Sequence, residues 1–283
     1  MRQTEPSGLN IWNSPDIVSN FRHSRPSAAL LEFARELASG GGAAADTGHR
    51  TGHAEPAETA RAGGEVDRSG HSHTAHLRIL DIGCGAGRNA VPLAQAGHSV
   101  TGVDIAGRMI DAAHEHAVEA GVASRCTFLT GRMDALPLSD PEFDLIVAHG
   151  VWNLAVSEET FRAAVTEATR LSRTGTALFV TTFSRNTLPP EAQPVAGTRF
   201  VFTDFNGSPQ CFLREDELRD ELAAAGFRVA PDRPVVERNR PAAWEQWREP
   251  GQSSPERGRR LNVAGPKRPV LYEGVWYRQA QRR

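Results

Sequence analysis

The stretch LRILDIGCGAGRNA, residues 77–90, decides the fold. It opens with an apolar run, LRILDI, of the length of a buried strand. It then turns on Gly83, Gly85 and Gly87 into small residues that begin a helical pattern. Glycines at such a turn adopt conformations closed to other residues, and they let main-chain amides approach a ligand that a Cβ would keep away. In an open α/β sheet the ligand crevice lies at the carboxyl end of this first strand.

The spacing is informative. A dinucleotide turn reads G-x-G-x-x-G, with a glycine at the sixth position. Here that position is Arg88, the third glycine arrives one residue early, and an acid, Asp81, closes the strand, giving D-x-G-x-G-x-G. Outward from the turn, strands and helices alternate. RNAVPLAQAG reads as a helix stopped by Gly97, HSVTGVD as a strand, and AGRMIDAAHEHAVEAG as a helix with a glycine stop. SRCTFLT, EFDLIVAH and TALFVTTF read as the third to fifth strands, with the helix SEETFRAAVTEATRLS before the fifth. Such alternation predicts a parallel sheet with right-handed crossovers. Later, RFVFTDF alternates like a short strand, REDELRDELAAAGF is a helix, and VLYEGVWYRQ is a last strand. Upstream, Ser27 can cap a helix reaching Leu37, while the segment around Trp12 to Arg25 reads as a connection without strong secondary structure.

This arrangement resembles motif I and the following elements of the class I S-adenosylmethionine-dependent methyltransferases. The second strand ends in an acid, Asp104; the third leads into FLTGRMDALPL; the fourth reads EFDLIVAHG. The resemblance implies a Rossmann-like α/β fold with a seven-stranded mixed sheet, helices on both faces and an antiparallel last strand pair near 226–231 and 270–277. It implies S-adenosyl-L-methionine as cofactor, with Asp81, Gly83, Gly85 and Gly87 at its methionine end. Asp104 and Ile105 would meet its ribose, and Met133 and Asp134 its adenine. Asp140 and Asp144 lie close to Asp134, and structural work suits Asp144 better. GCGAGRN and the pattern Phe212, Glu217, Leu218, Gly226, Phe227 are similar to the tellurite-resistance and thiopurine-type small-molecule branch.

Some residues read two ways. Arg88 binds the cofactor carboxylate or only starts a helix, where a cation opposes the dipole unless an anion is near. Cys84, between glycines, reads as small packing. His149 either lines the active site, contacting cofactor and serving as general base with a reference pKa of about 6.5, or merely packs. Trp152, Asn153, Phe183 and Phe202 are expected on the substrate side, with the N-terminal segment and the loop Ser184 to Cys211 covering an enclosed pocket. An N/D-P-P-Y/F signature of base-amino methylation is absent from the sequence.

Composition agrees with a small-molecule enzyme. The net charge is -2 over 283 residues, so there is no long-range attraction to nucleic acid or to an anionic membrane. Cys84, Cys126 and Cys211 form no framework, and no signal-like or spanning run is visible, so a cytoplasmic protein is expected. Residues 39–76 are rich in Gly, Ala and Thr and poor in large apolar side chains, which predicts a disordered insert. Its His49, His53, His71, His73 and His76 lack a scaffold for a metal, and none is expected. The expected layout is a helical cap over 1–38, the insert, and a methyltransferase domain over 77–283. The expected reaction is methyl transfer to a small-molecule O, N or S nucleophile. A nucleic-acid or protein methyltransferase, hinted at by the Arg-rich stretch 238–260, and a cofactor-binding protein without turnover are the alternatives.

Overall fold

A computed structural model describes residues 9–40, 75–139, 143–239 and 269–280. Three helices come first: α1 (Leu9–Trp12), α2 (Pro15–His23) and α3 (Ala28–Ala38). The segment before Arg25, expected as a connection, is therefore helical. Pro15 starts α2, Asp16 sits in its first turn, and Arg22 and His23 in its last, each favourable to the helix dipole. The Pro-Asp pair reads equally as a turn, and the apolar face of Ile17, Val18 and Phe21 is only partly buried, against Ala86, Ala106, Met109 and Ala112 far along the chain. In α3, Ser27 is the cap: its hydroxyl accepts from the Leu30 amide at 3.3 Å.

The alternating region follows as β1 (Arg78–Ile82), α4 (Ala90–Gln95), β2 (Ser99–Asp104), α5 (Gly107–Glu119), β3 (Cys126–Thr130), β4 (Phe143–His149), α6 (Glu158–Arg170) and β5 (Ser172–Phe183). A small hairpin, β6 (Val201–Phe202) and β7 (Gln210–Cys211), then leads to α7 (Glu215–Ala224), β8 (Phe227–Val229), β9 (Val236–Arg238) and β10 (Leu271–Arg278). Among the described residues one sheet runs β3-β2-β1-β4-β5-β10-β8, and β9 adds an eighth strand against β10. β1 to β5 are parallel; β10 is antiparallel to β5, β8 and β9. The Rossmann-like mixed sheet and its antiparallel edge are as expected. The added strand is three residues long, too short to show a period in sequence.

Strands covered on both faces become nearly continuous apolar runs. One face carries Ile79, Leu145, Val147 and Phe179 against α3, α4 and α5. The other carries Leu80, Ile146, Leu178 and Val180 against α6 and α7. Asp144 is structural: it accepts from the Arg78 amide at 2.8 Å and pairs with Arg173. The late pattern from Phe212 to Phe227 also builds the fold. Phe212, Leu218 and Phe227 are buried, Glu217 accepts from the Arg214 amide at 2.8 Å, and Gly226 has φ +84°.

Among the described residues no helix is long and apolar enough to cross a membrane. His49, His53, His71, His73 and the stretch 240–268 lie outside the described residues. His76 is described, and its ring bonds Gly97 O and Ser99 Oγ at 2.7 and 2.8 Å. The Ala75 amide donates to Ala38 O at 2.7 Å, so the described residues on either side of 41–74 stand close together. Replacing residues 41–74 by a short Gly/Ser linker should therefore leave the melting temperature nearly unchanged. A fall of many degrees in a thermal melt would refute this.

Candidate active site

The glycine turn is held from β2. The amides of Gly83 and Cys84 both donate to Val103 O, at 2.7 and 3.2 Å. Asp104 stands at the end of β2, and its Oδ2 accepts from the Gly85 amide and its Oδ1 from the Ala106 amide, each at 2.9 Å. Burial raises the Asp104 carboxyl above its ordinary range, although the amides of Ala106, Gly85 and Ile105 pull it down. Each oxygen keeps a lone pair for a hydroxyl donor. At Gly83 two constraints coincide: φ is +71°, and an added Cβ would lie 2.5 Å from Cγ2 of Val151.

Asp81 is 1% exposed at the strand end, and its Oδ2 has no partner among the described residues. Desolvation pushes its pKa up to about 7, with Arg88 opposing and Asp104 adding to the rise. Between 3.8 and about 7 the folded chain thus holds a proton that the unfolded chain has lost, so stability falls as pH rises through that window. Asp81→Asn removes this dependence. Without cofactor the variant should melt above wild type at about pH 8 and level with it at about pH 4. Equal melting temperatures at both pH values would contradict this burial cost.

Arg88 Nη2 lies 3.1 Å from Nδ1 of His149. A guanidinium has only donors, so Nδ1 accepts and the neutral ring bears its proton on Nε2. Burial, and then the Arg88 charge, lower the His149 pKa to about 4. The ring stacks on Phe179 with centroids 6.5 Å apart. The expected general base is thus a neutral ring whose Nδ1 lone pair is already engaged. Cys84 is buried and its thiol is pushed well above the usual range, which agrees with packing and not nucleophilicity.

A mainly apolar cavity of about 300 Å³ opens at the carboxyl ends of β1, β2 and β4. It brings together Gly83, Gly85, Arg88, Asp104, Ile105, Met133, Asp134 and His149. Asp81 lies beneath it, and Gly87 is turned toward α5, where an added Cβ would meet Ala113. Both Asp134 oxygens are held by Arg132, at 2.9 and 2.7 Å. Trp12 and Phe21, in edge contact at 5.7 Å, form the N-terminal part of the wall.

The residues expected on the substrate side do not line this cavity. Trp152 is fully buried against Phe161, and Asn153 is buried beside it with Oδ1 unpartnered among the described residues. Phe183 and Phe202 join Phe212 in a separate aromatic cluster, with the Arg185 guanidinium 4.8 Å over Phe202. No residue of the loop Ser184 to Cys211 reaches the cavity. Its far wall is instead Val151, Leu154, Val156 and Thr160. Of these, Val156 is 60% exposed, at the rim. Only their position just after β4 could have marked them, because the 3-10 turn Trp152–Leu154 buries Trp152 and Asn153 and leaves Val151 and Leu154 on the cavity wall.

A carboxylate buried without a partner suits an ammonium group, Arg88 a carboxylate, and Asp104 a ribose diol. These residues therefore fit S-adenosylmethionine. Residues 79–175 match the family model described as a methyltransferase domain. The chain is 32% identical over 163 residues to a ubiquinone biosynthesis O-methyltransferase of Chelativorans sp., covering 56% of this chain and 62% of that one. It is 36% identical over 166 residues to the protein of that name from Methylocella silvestris, covering 56% and 61%. It thus spans about three fifths of the curated relatives it matches. Among solved structures, a SAM-dependent methyltransferase from Methanosarcina mazei superposes with a TM-score of 0.52 at 19% identity, over 73% of this chain and 94% of that one. The [4+2]-cyclase SpnF gives 0.52 at 20% identity, over 73% and 76%. The sequence and fold likenesses converge on one stretch of chain: residues 79–175 match a methyltransferase-domain model and lie in the fold shared with the Methanosarcina mazei methyltransferase.

Proposed function

We propose that the protein transfers a methyl group from S-adenosylmethionine to a small-molecule nucleophile. The observation that carries this is the buried Asp81 carboxyl, its Oδ2 without a partner among the described residues, under a cavity whose wall holds Arg88 and Asp104. In this reading Asp81 draws the methionine ammonium, Arg88 the carboxylate, and Asp104 with Ile105 the ribose. Met133 and Asp134 border the adenine. The cofactor supplies an already activated methyl group, so the chain's task is to orient the acceptor in line with it and exclude water. Trp12 and Phe21 close the cavity with apolar surface, which suits a small acceptor better than a polymer laid across a groove. The names of the curated relatives point to an oxygen acceptor on a small molecule. The likeness to the tellurite-resistance and thiopurine branch has little weight for the acceptor, because its late residues build α7 and β8.

A fold shared with a [4+2]-cyclase keeps a second reading in view, cofactor binding without methyl transfer. Calorimetric titration tests the binding step: S-adenosylmethionine and S-adenosylhomocysteine should bind and NAD should not. Label transfer from methyl-labelled cofactor into low-molecular-weight acceptors separates the two readings. Binding of NAD with no heat from either sulfur compound would end both.

A further inference from the structure

The Arg88–His149 contact says what kind of acceptor the cavity takes. Arg88 occupies Nδ1 of His149 at 3.1 Å and leaves Nε2 as an N–H donor. The ring lines the cavity, and Arg88 is the side chain that bonds it among the described residues. Phe179, stacked on the ring within 2° of parallel, holds its plane. Thr181 pairs with His149 in the β4–β5 ladder, and its buried Oγ1 is without a partner among the described residues. The other groups that could take a proton are engaged or out of reach. Asp134 is clamped by Arg132, Asp104 holds two backbone amides, and Asp81 lies beneath the cavity.

We propose that the methyl acceptor is an oxyanion on a small molecule, a phenolate, enolate or carboxylate, received by the Nε2–H of His149 while Arg88 holds the ring as a donor. The inference rests on the methyl-transfer reading above. An oxyanion needs no base in the transfer step. A lone pair of its oxygen forms the bond to the methyl carbon as the sulfur–carbon bond breaks. The pair from that bond stays on sulfur, and an anion and a sulfonium become two neutral products. His149 gives up no proton; it positions the oxygen and lends a dipole, with the Arg88 charge behind it. The ring's lowered pKa supports this role, since the ring stays neutral at working pH. The charged group acting on it is Arg88 from the turn before α4, which Asp81 from β1 faces in turn with Asp104 from β2 beyond; from β5 the ring meets the neutral Phe179 and Thr181.

Two measurements on the full chain test it. The first is nitrogen NMR on histidine-labelled protein, with the His149 signal identified by its loss in His149→Leu. Wild type should show the Nε2–H tautomer without titrating between about pH 5.5 and 8, and Arg88→Met should free Nδ1, mix the tautomers and move the ring's pKa upward while burial still holds it below the ordinary histidine range. A wild-type ring protonated on Nδ1, or titrating like a free imidazole, overturns the proposal. The second is titration of the chain, loaded with S-adenosylhomocysteine, with 4-nitrophenol, whose anion alone is yellow. The bound probe should stay yellow below its solution pKa. His149→Leu should weaken binding by about tenfold, and His149→Gln, which keeps a donor, should restore most of it. Binding as the neutral phenol, or no binding of the anion to the loaded chain, overturns the proposal. Failure of S-adenosylhomocysteine itself to bind would instead defeat the methyl-transfer reading, and the tautomer measurement would still decide the state of the ring.

Discussion

Replacing Asp104 by alanine lowers both the melting temperature of the cofactor-free chain and its affinity for S-adenosylmethionine. From sequence alone only the second effect is expected, because a strand-end acid that meets a ribose should face the crevice. In the structure the same carboxylate also ties the site together. It accepts the Gly85 amide from the glycine turn and the Ala106 amide at the start of α5. Alanine leaves both donors without that partner in a half-buried place. Charge-assisted hydrogen bonds of this kind contribute about 1.5–3 kcal/mol each, and water recovers part of that, so a stability loss of about 2–4 kcal/mol is expected. Cofactor affinity should fall by about a further 1–3 kcal/mol, roughly tenfold to a hundredfold. Asp104→Asn, which keeps an acceptor oxygen, should recover part of the stability and less of the affinity. Thermal melts without cofactor, beside calorimetry with it, separate the two. An alanine variant that melts like wild type would show that Asp104 does not organise the turn.

Gly83→Ala should be the most damaging change of a single methyl in the turn. The residue sits at φ +71°, where a side chain costs about 1 kcal/mol. Its new Cβ would lie 2.5 Å from Cγ2 and 2.7 Å from Cβ of Val151. Both are below any contact that packing tolerates, and Val151 lies on the cavity wall. Overpacking of this kind typically costs about 1–3 kcal/mol. The strain adds to it, giving about 2–4 kcal/mol and a displaced wall. Val151→Ala would still present its own Cβ, so the informative partner is Val151→Gly. In a double-mutant cycle it should relieve most of the clash and none of the backbone strain. If Gly83→Ala melts within a degree of wild type, the close approach to Val151 is not maintained in solution.

What the sequence determined by itself is the alternating core and the glycine-turn side of the cavity. LRILDI followed by three spaced glycines specifies a strand, a turn and a helix through local terms alone: apolar burial, positive φ and helix capping. Asp104, Ile105, Met133 and Asp134 follow because each sits at the end of a strand or within four residues after it, and strand ends in a parallel sheet converge on one edge. The tertiary structure decided everything that depends on residues far apart in the chain. Helix α2 was hidden because its short apolar face packs, partly buried, on Ala86, Ala106, Met109 and Ala112, which come from the turn and the start of α5. Trp152 and Phe202 read as pocket aromatics, yet side-chain direction after a strand depends on how the next turn packs, and both were drawn into cores. The chemical state of His149 was likewise undecidable from its type and place. A guanidinium that precedes it by 61 positions donates to its ring, and that contact, with burial, makes a residue expected to take a proton into one that offers a hydrogen bond.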